Sequence, residues 1–171
     1  MLIPLLIENF IDYLKFFVDK KRYYNMKGEI FEGICYKVLS NLENKNSIIK
    51  GNLFKKQNEV DFLIFNKDYK IIYLIECTDY ALLYFSFIEE KKREIETKTL
   101  EQLTIKKDYL FKNYLIKNKK IFANILGVKI QNLFDLKIKL VGITRIKCND
   151  IDKIKFYTLS EISDNQKKKF S

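Results

Sequence analysis

Two apolar runs separated by a short polar turn constrain this chain more than any other feature: Asn58-Glu59-Val60-Asp61-Phe62-Leu63-Ile64-Phe65 and Ile71-Ile72-Tyr73-Leu74-Ile75-Glu76-Cys77-Thr78. Both are rich in β-branched and aromatic residues, and Asn66-Lys67-Asp68 between them is turn chemistry, so they read as a β-hairpin. Each run is apolar on both faces, which predicts a covered, central position in a sheet. Asp61 and Glu76 stand out in that setting, because an ionised carboxylate in an apolar strand is costly unless a partner offsets its charge. A register in which facing residues sum to 137 puts Phe65 opposite Ile72, Leu63 opposite Leu74 and Asp61 opposite Glu76. Side-chain alternation then turns Asp61, Glu76 and Thr78 to one side. Two like charges about 5 Å apart repel, and a divalent cation would relieve them.

The chain around the hairpin supplies one domain. At 171 residues with 47% hydrophobic and 32% charged residues, it is long enough to bury one core and too short for two ordinary ones. No apolar run approaches the 18 or so residues that a membrane span requires, so no membrane association is expected. The brief apolar start, Met1 to Ile7, lacks a basic n-region and is followed by Glu8, so it does not read as a signal peptide. Cys35, Cys77 and Cys148 have no C-x-x-C spacing, which points to a reducing compartment, the cytoplasm, and away from zinc. Histidine is absent, which removes Ser-His-Asp and Cys-His catalysis and histidine bases. Chemistry in this chain falls to carboxylates, lysines, tyrosines and metal.

Along the chain, Leu5 to Lys20 has helical periodicity through Leu6, Phe10, Tyr13, Leu14 and Phe17. The basic, aromatic Lys20 to Tyr24 comes next; it is either a phosphate contact or a solvated turn. A second helix is predicted from about Lys27 to Leu42, a first strand from Ile48 to Lys56, and a long helix from Ile88 to Asn118, a stretch without Gly or Pro. Its stripe is Ile95, Thr99, Leu103, Leu110 and Tyr114. Residues 119–135 read as a connection, Leu136 to Ile146 and Ile154 to Leu159 as the last strands, and 164–171 as a disordered basic tail. Residues 79–87 are aromatic and read equally as helix or loop. Periodicity alone gives an α/β domain with a mixed central sheet flanked by helices.

The acid hairpin resembles the PD-(D/E)XK, or restriction-endonuclease-like, nuclease superfamily. Its pattern is an acid on an early helix, an Asp on one hairpin strand and acid-x-Lys ending the next. Gly28-x-x-Phe31-Glu32 looks like the superfamily's opening-helix motif, with Glu29 as the fallback acid; a stabilising role at the helix N-terminus is the other reading of both. Glu76-Cys77-Thr78 fills the last element, with Thr78 where the family has lysine. In some branches that lysine has moved to a neighbouring helix, and Lys98 or Lys92 is the candidate here. The resemblance covers residues 28 to 110. It implies one nuclease-like domain over 1–171, with 1–24 as a helical extension, and Mg²⁺ or Mn²⁺ held by Asp61, Glu76, Glu32 and the backbone carbonyl of Cys77. It also implies metal-dependent cleavage of a nucleic acid, with DNA ahead of RNA, and a homodimer as one assembly. The alternative is a catalytically inactive nuclease fold that binds nucleic acid, its acids held by Lys55, Lys56 or a helix lysine; a third is a protein-interaction domain. The net charge of +10 points to a polyanion, although the same Lys, Asn, Ile, Phe and Tyr usage arises in an AT-rich genome.

Overall fold

The hairpin forms with the expected register. Strands β2 (Val60–Asn66) and β3 (Ile71–Thr78) are antiparallel, with Phe62 opposite Ile75, Leu63 opposite Leu74 and Phe65 opposite Ile72. Asn66 sets the turn: its Oδ1 accepts the backbone N–H groups of Asp68 and Tyr69 at 3.1 and 3.3 Å. The computed structural model of the chain describes residues 20–43, 47–53, 59–79 and 88–164. The expected helix over 5–20, the cluster Lys55-Lys56 and the basic tail over 164–171 lie outside those residues, apart from Lys20 and Asp164, which is helical.

Helix α1 (Lys20–Ser40) precedes strand β1 (Ser47–Leu53), which pairs antiparallel with β2. After the hairpin come helix α2 (Ile88–Tyr109), a π-helical segment (Leu110–Leu115), helix α3 (Lys119–Leu126) and a 3₁₀ turn (Ile130–Asp135). Strand β4 (Lys137–Thr144) then pairs parallel with β3, strand β5 (Ile154–Thr158) pairs parallel with β4, and a short helix α4 (Leu159–Asp164) ends the described chain. The sheet is therefore mixed, in the order β1-β2-β3-β4-β5. Parallel pairing of β3 and β4 requires a crossover, and α2 supplies it.

Helices cover both faces of this sheet. Leu63, Phe65, Ile72, Leu74, Leu140 and Phe156 pack against Ile95, Leu103 and Leu110 on one side. On the other side Phe62, Ile64, Tyr73, Ile75, Val141 and Ile143 pack against Phe31, Cys35 and Leu39 of α1 and Ile162 of α4. Being covered on both faces explains why the strands read as continuous apolar runs. No helix among the described residues is long and apolar enough to cross a membrane.

Several boundaries differ from the sequence expectation. Helix α1 includes Lys20 to Tyr24, so that basic, aromatic segment is helical rather than a turn. The long helix after the hairpin changes to π geometry at Leu110, and the wider turn there rotates the faces presented by the next residues. Part of the expected connection over 119–135 is helix α3, stopped by Gly127 in the left-handed region at φ 63°. Helix α4 was not expected. Thr158 and Glu161 cap its start reciprocally: Thr158 N–H donates to Glu161 Oε2 at 2.8 Å, and Glu161 N–H donates to Thr158 Oγ1 at 3.3 Å.

One glycine fixes how closely α2 approaches the sheet. A Cβ on Gly142 would lie 2.5 Å from Phe156 Cε1 and 3.2 Å from Thr99 Cγ2. Phe156 and Thr99 are both buried, so the contact has little room to relax. Gly142→Ala should therefore destabilise the fold by about 1–3 kcal/mol through overpacking, read from urea denaturation. A loss well short of that range would mean that Phe156 of β5 is not held against Gly142 as described.

Candidate active site at the end of the hairpin

The carboxyl end of β3 and the amino end of β2 lie side by side, and three charged groups meet there. The β2–β3 ladder ends at Phe62 opposite Ile75, one step short of Asp61 and Glu76. Beyond it the Asp61 side chain takes over the pairing: Oδ2 accepts the Cys77 backbone N–H at 2.7 Å. Lys106 enters from α2 and donates to Glu76 Oε2, with its Nζ 4.0 Å from Asp61 Oδ1. The side chains of Lys106 and Glu76 are each 8% exposed and that of Asp61 13%, which makes this a buried cluster of two acids and one base.

Burial and charge oppose each other at these groups. Burial raises the affinity of Asp61 for a proton, while Lys106 and the Cys77 N–H act the other way. Burial likewise lowers the Lys106 ammonium from its ordinary value, against the charges of Asp61, Glu59 and Glu32. Among the described residues the cluster holds two acids to one lysine, and the charge of Asp61 is felt at Glu32. Half-buried on α1, Glu32 is pushed up to about 7 by burial first and then by the charges of Asp61, Glu59 and Glu29, with Lys106 opposing.

The sign of the resulting pH dependence comes from linkage. Glu32 binds its proton more tightly in the folded than in the unfolded chain, whose ordinary value is 4.5, so stability is lost as pH rises from about 4.5 through about 7. Glu32→Gln mimics the protonated acid. It should leave stability unchanged below that window and raise it above pH 7 by about 1–2 kcal/mol, a figure reduced from the full shift because solvent reaches the group. Urea denaturation at pH 4 and pH 8 measures the difference; equal effects at both would show that neither burial nor neighbouring charge raises Glu32 in the folded chain.

The other expected site residues fall in three places. Thr78 is buried at the end of the strand that carries Glu76, and its Oγ1 lies 3.3 Å from Thr99 Oγ1 of α2, so its hydroxyl ties the strand to the crossover helix. Cys77 contributes its N–H to Asp61, and its thiol lies against Cys35, where burial pushes it well up. Lys98 is exposed on α2 and Lys92 pairs with Glu89 at 2.6 Å; neither joins the cluster. The helix lysine between the two acids is Lys106, which the sequence reading missed. The signal was available: Lys106 occupies the empty slot in the buried stripe Ile95, Thr99, Leu103, Leu110 at helical spacing.

Among the described residues no group of three or more His, Cys, Asp or Glu side chains is disposed to hold a metal ion. On the α1 face of the sheet an open cleft of about 500 Å³ is lined among the described residues by Glu29, Glu32, Gly33, Tyr36, Gly51 and Phe62, and Glu32 is its link to the cluster through the charge of Asp61. No protein-family model, curated protein or solved structure matches the chain.

Proposed function

We propose that this chain is a metal-dependent nuclease with a restriction-endonuclease-like core, hydrolysing phosphodiester bonds in DNA, or in RNA, in the cytoplasm. One observation carries the reading: two carboxylates from neighbouring strands of a hairpin meet at the sheet end with one buried lysine from the crossover helix. An early helix bearing Glu32, a three-strand antiparallel meander, a crossover helix and a parallel strand support the finer fold.

The donor set fits a hard divalent ion. Mg²⁺ is usually held by one or two carboxylates, with waters and substrate phosphates completing its shell, so Asp61 and Glu76 suffice as protein ligands without a three-residue group. Glu32 is raised by burial first, and the neighbouring negative charges that add to the rise are of the sign that a dication would offset. When bound, Mg²⁺ or Mn²⁺ supplies Lewis-acid polarisation of the phosphate and a water of lowered pKa. The Cys77 N–H fixes the orientation of Asp61. Lys106 takes the part of the lysine that Thr78 replaces, its ammonium donating to an anionic oxygen at the site and its helix held against β3 by the Thr99–Thr78 contact. Glu32, poised near neutrality, can hold or release a proton beside the site.

A second reading has its own observation. Lys106 already contacts Glu76, and in a catalytically inactive nucleic-acid-binding protein it would be the permanent counterion of the acids. The test is cleavage of labelled single- and double-stranded DNA and RNA in Mg²⁺, Mn²⁺ and chelator, with Asp61→Ala and Glu76→Ala beside the wild type. Metal-dependent cleavage lost in both variants supports the nuclease. No cleavage of any substrate, or cleavage indifferent to the variants, overturns it in favour of the second reading.

A further inference from the structure

The cleft beside Glu32 has an aromatic wall that the proposed hydrolysis does not use. Its wall is an aromatic stack: the Tyr36 ring, on a residue 50% exposed, lies nearly parallel to that of buried Phe62, with centroids 6.0 Å apart and planes 24° apart. Phe62 follows Asp61 in β2, and strand alternation turns its ring to the α1 face, so the stack and the carboxylate cluster occupy opposite faces of the same strand. Gly51 lies opposite Phe62 in the β1–β2 ladder, and a Cβ there would already touch the Phe62 ring at 3.4 Å. Without that side chain the cleft stays open over the aromatic wall.

The charges around the cleft select which part of a nucleic acid enters it. Glu29 and Glu32 line it and repel phosphate, while the chain as a whole carries a net charge of +10 and attracts a polyanion. A nucleobase is the uncharged, flat part of such a polymer, and an exposed aromatic ring stacks on any base that is not already stacked in a duplex. Its edge amines can donate to the Glu29 and Glu32 carboxyl groups. A volume of about 500 Å³ lies within the range of small-molecule sites.

We infer that this cleft is a stacking site for one unpaired base, making single-stranded nucleic acid, or an unpaired end or flap, the substrate class of the proposed nuclease. The inference rests on the nuclease reading for the cleavage step, but its test needs only binding. Fluorescence anisotropy of the full chain in chelator would compare a labelled single-stranded DNA of about 12 nucleotides, a length within the site sizes of single-strand binders, with the same sequence as a duplex. Variants Tyr36→Ala, Tyr36→Phe and Gly51→Val would be measured alongside. Gly51 is exposed on a strand, where valine is favoured, so Gly51→Val fills the cleft without threatening the fold, and thermal melts verify this for every variant. The single strand should bind more tightly than the duplex. Tyr36→Ala and Gly51→Val should each weaken single-strand binding about tenfold or more, while Tyr36→Phe and all duplex affinities stay unchanged. Single-strand affinity unaffected by both Tyr36→Ala and Gly51→Val, equal losses on the duplex, or no single-strand binding at all would overturn the inference. If the nuclease reading fails alone, cleavage is absent while this binding pattern persists.

Discussion

Lys106→Ala is expected to lower the stability of the folded chain by about 3–5 kcal/mol, the usual consequence of removing one partner from a buried ion pair. The reason is specific to the geometry. Glu76 and Asp61 are almost inaccessible to water, and Lys106 is the ammonium that contacts one and lies 4.0 Å from the other. For a chain of this size the loss corresponds to a melting-temperature drop of about 10 °C or more. The penalty should shrink as pH falls and the two carboxyl groups take up protons, since a neutral acid no longer needs the ammonium. Replacing all three together, as Asp61→Asn, Glu76→Gln and Lys106→Met, should recover most of the stability, because the cost arises from the unpaired charge and not from the missing methylenes. Denaturation of the single and triple variants at pH 4.5 and pH 7.5 decides the matter. A loss under about 1 kcal/mol for Lys106→Ala, well short of the buried-pair range, would show that the acids are hydrated or already protonated.

Asp61→Asn should separate charge from position at the proposed catalytic centre. Asparagine keeps a side-chain oxygen that can accept the Cys77 N–H now bonded to Asp61 at 2.7 Å, so the hairpin end should keep its form. What disappears is the negative charge needed for a cation or for proton transfer. Metal-dependent cleavage should fall about 10²- to 10⁴-fold, the range typical of a lost acid–base or electrostatic group, with the melting temperature within a few degrees of the wild type. Single-turnover rates would be measured at saturating enzyme. Activity within a few-fold of the wild type would remove Asp61 from the catalytic set.

Much of the architecture was legible because the strands that carry the acids are covered on both sides. Double burial writes itself as an uninterrupted apolar run, and Asp61 and Glu76 are conspicuous only against that background. Asn66-Lys67-Asp68 marked the turn, and of the registers that keep both acids on one face only the one with facing residues summing to 137 aligns Asp61 with Glu76; the strands pair in that register. Lys106 was less legible for a different reason. A lysine on a long, lysine-rich helix is usually solvated, and six lysines compete from Lys91 to Lys112. The distinguishing mark was position in the buried stripe rather than residue type. The exposed Ile105 next to it agrees with that phase: at that point of α2 the apolar residue faces out and the charged one faces in. Helix α4 was missed although Thr158-x-x-Glu161 spells a capping box, because a six-residue helix leaves too little periodicity to detect. The π geometry after Tyr109 has no local sequence signature of its own, and the aromatic residues there fit either helix type.

The separation in sequence of the three charged groups has a consequence for how the chain folds. The acids reach each other through a local hairpin, Asp61 bonding to Cys77 only 16 positions away, whereas Lys106 is 30 positions beyond Glu76. Closing the shorter loop is entropically easier, so the hairpin tends to form while the crossover helix is still unattached. During that interval the two acids stand together without Lys106. Docking of the helix then removes a repulsion already present in the partly folded chain, and the folding barrier rises with the ionisation of two carboxyl groups.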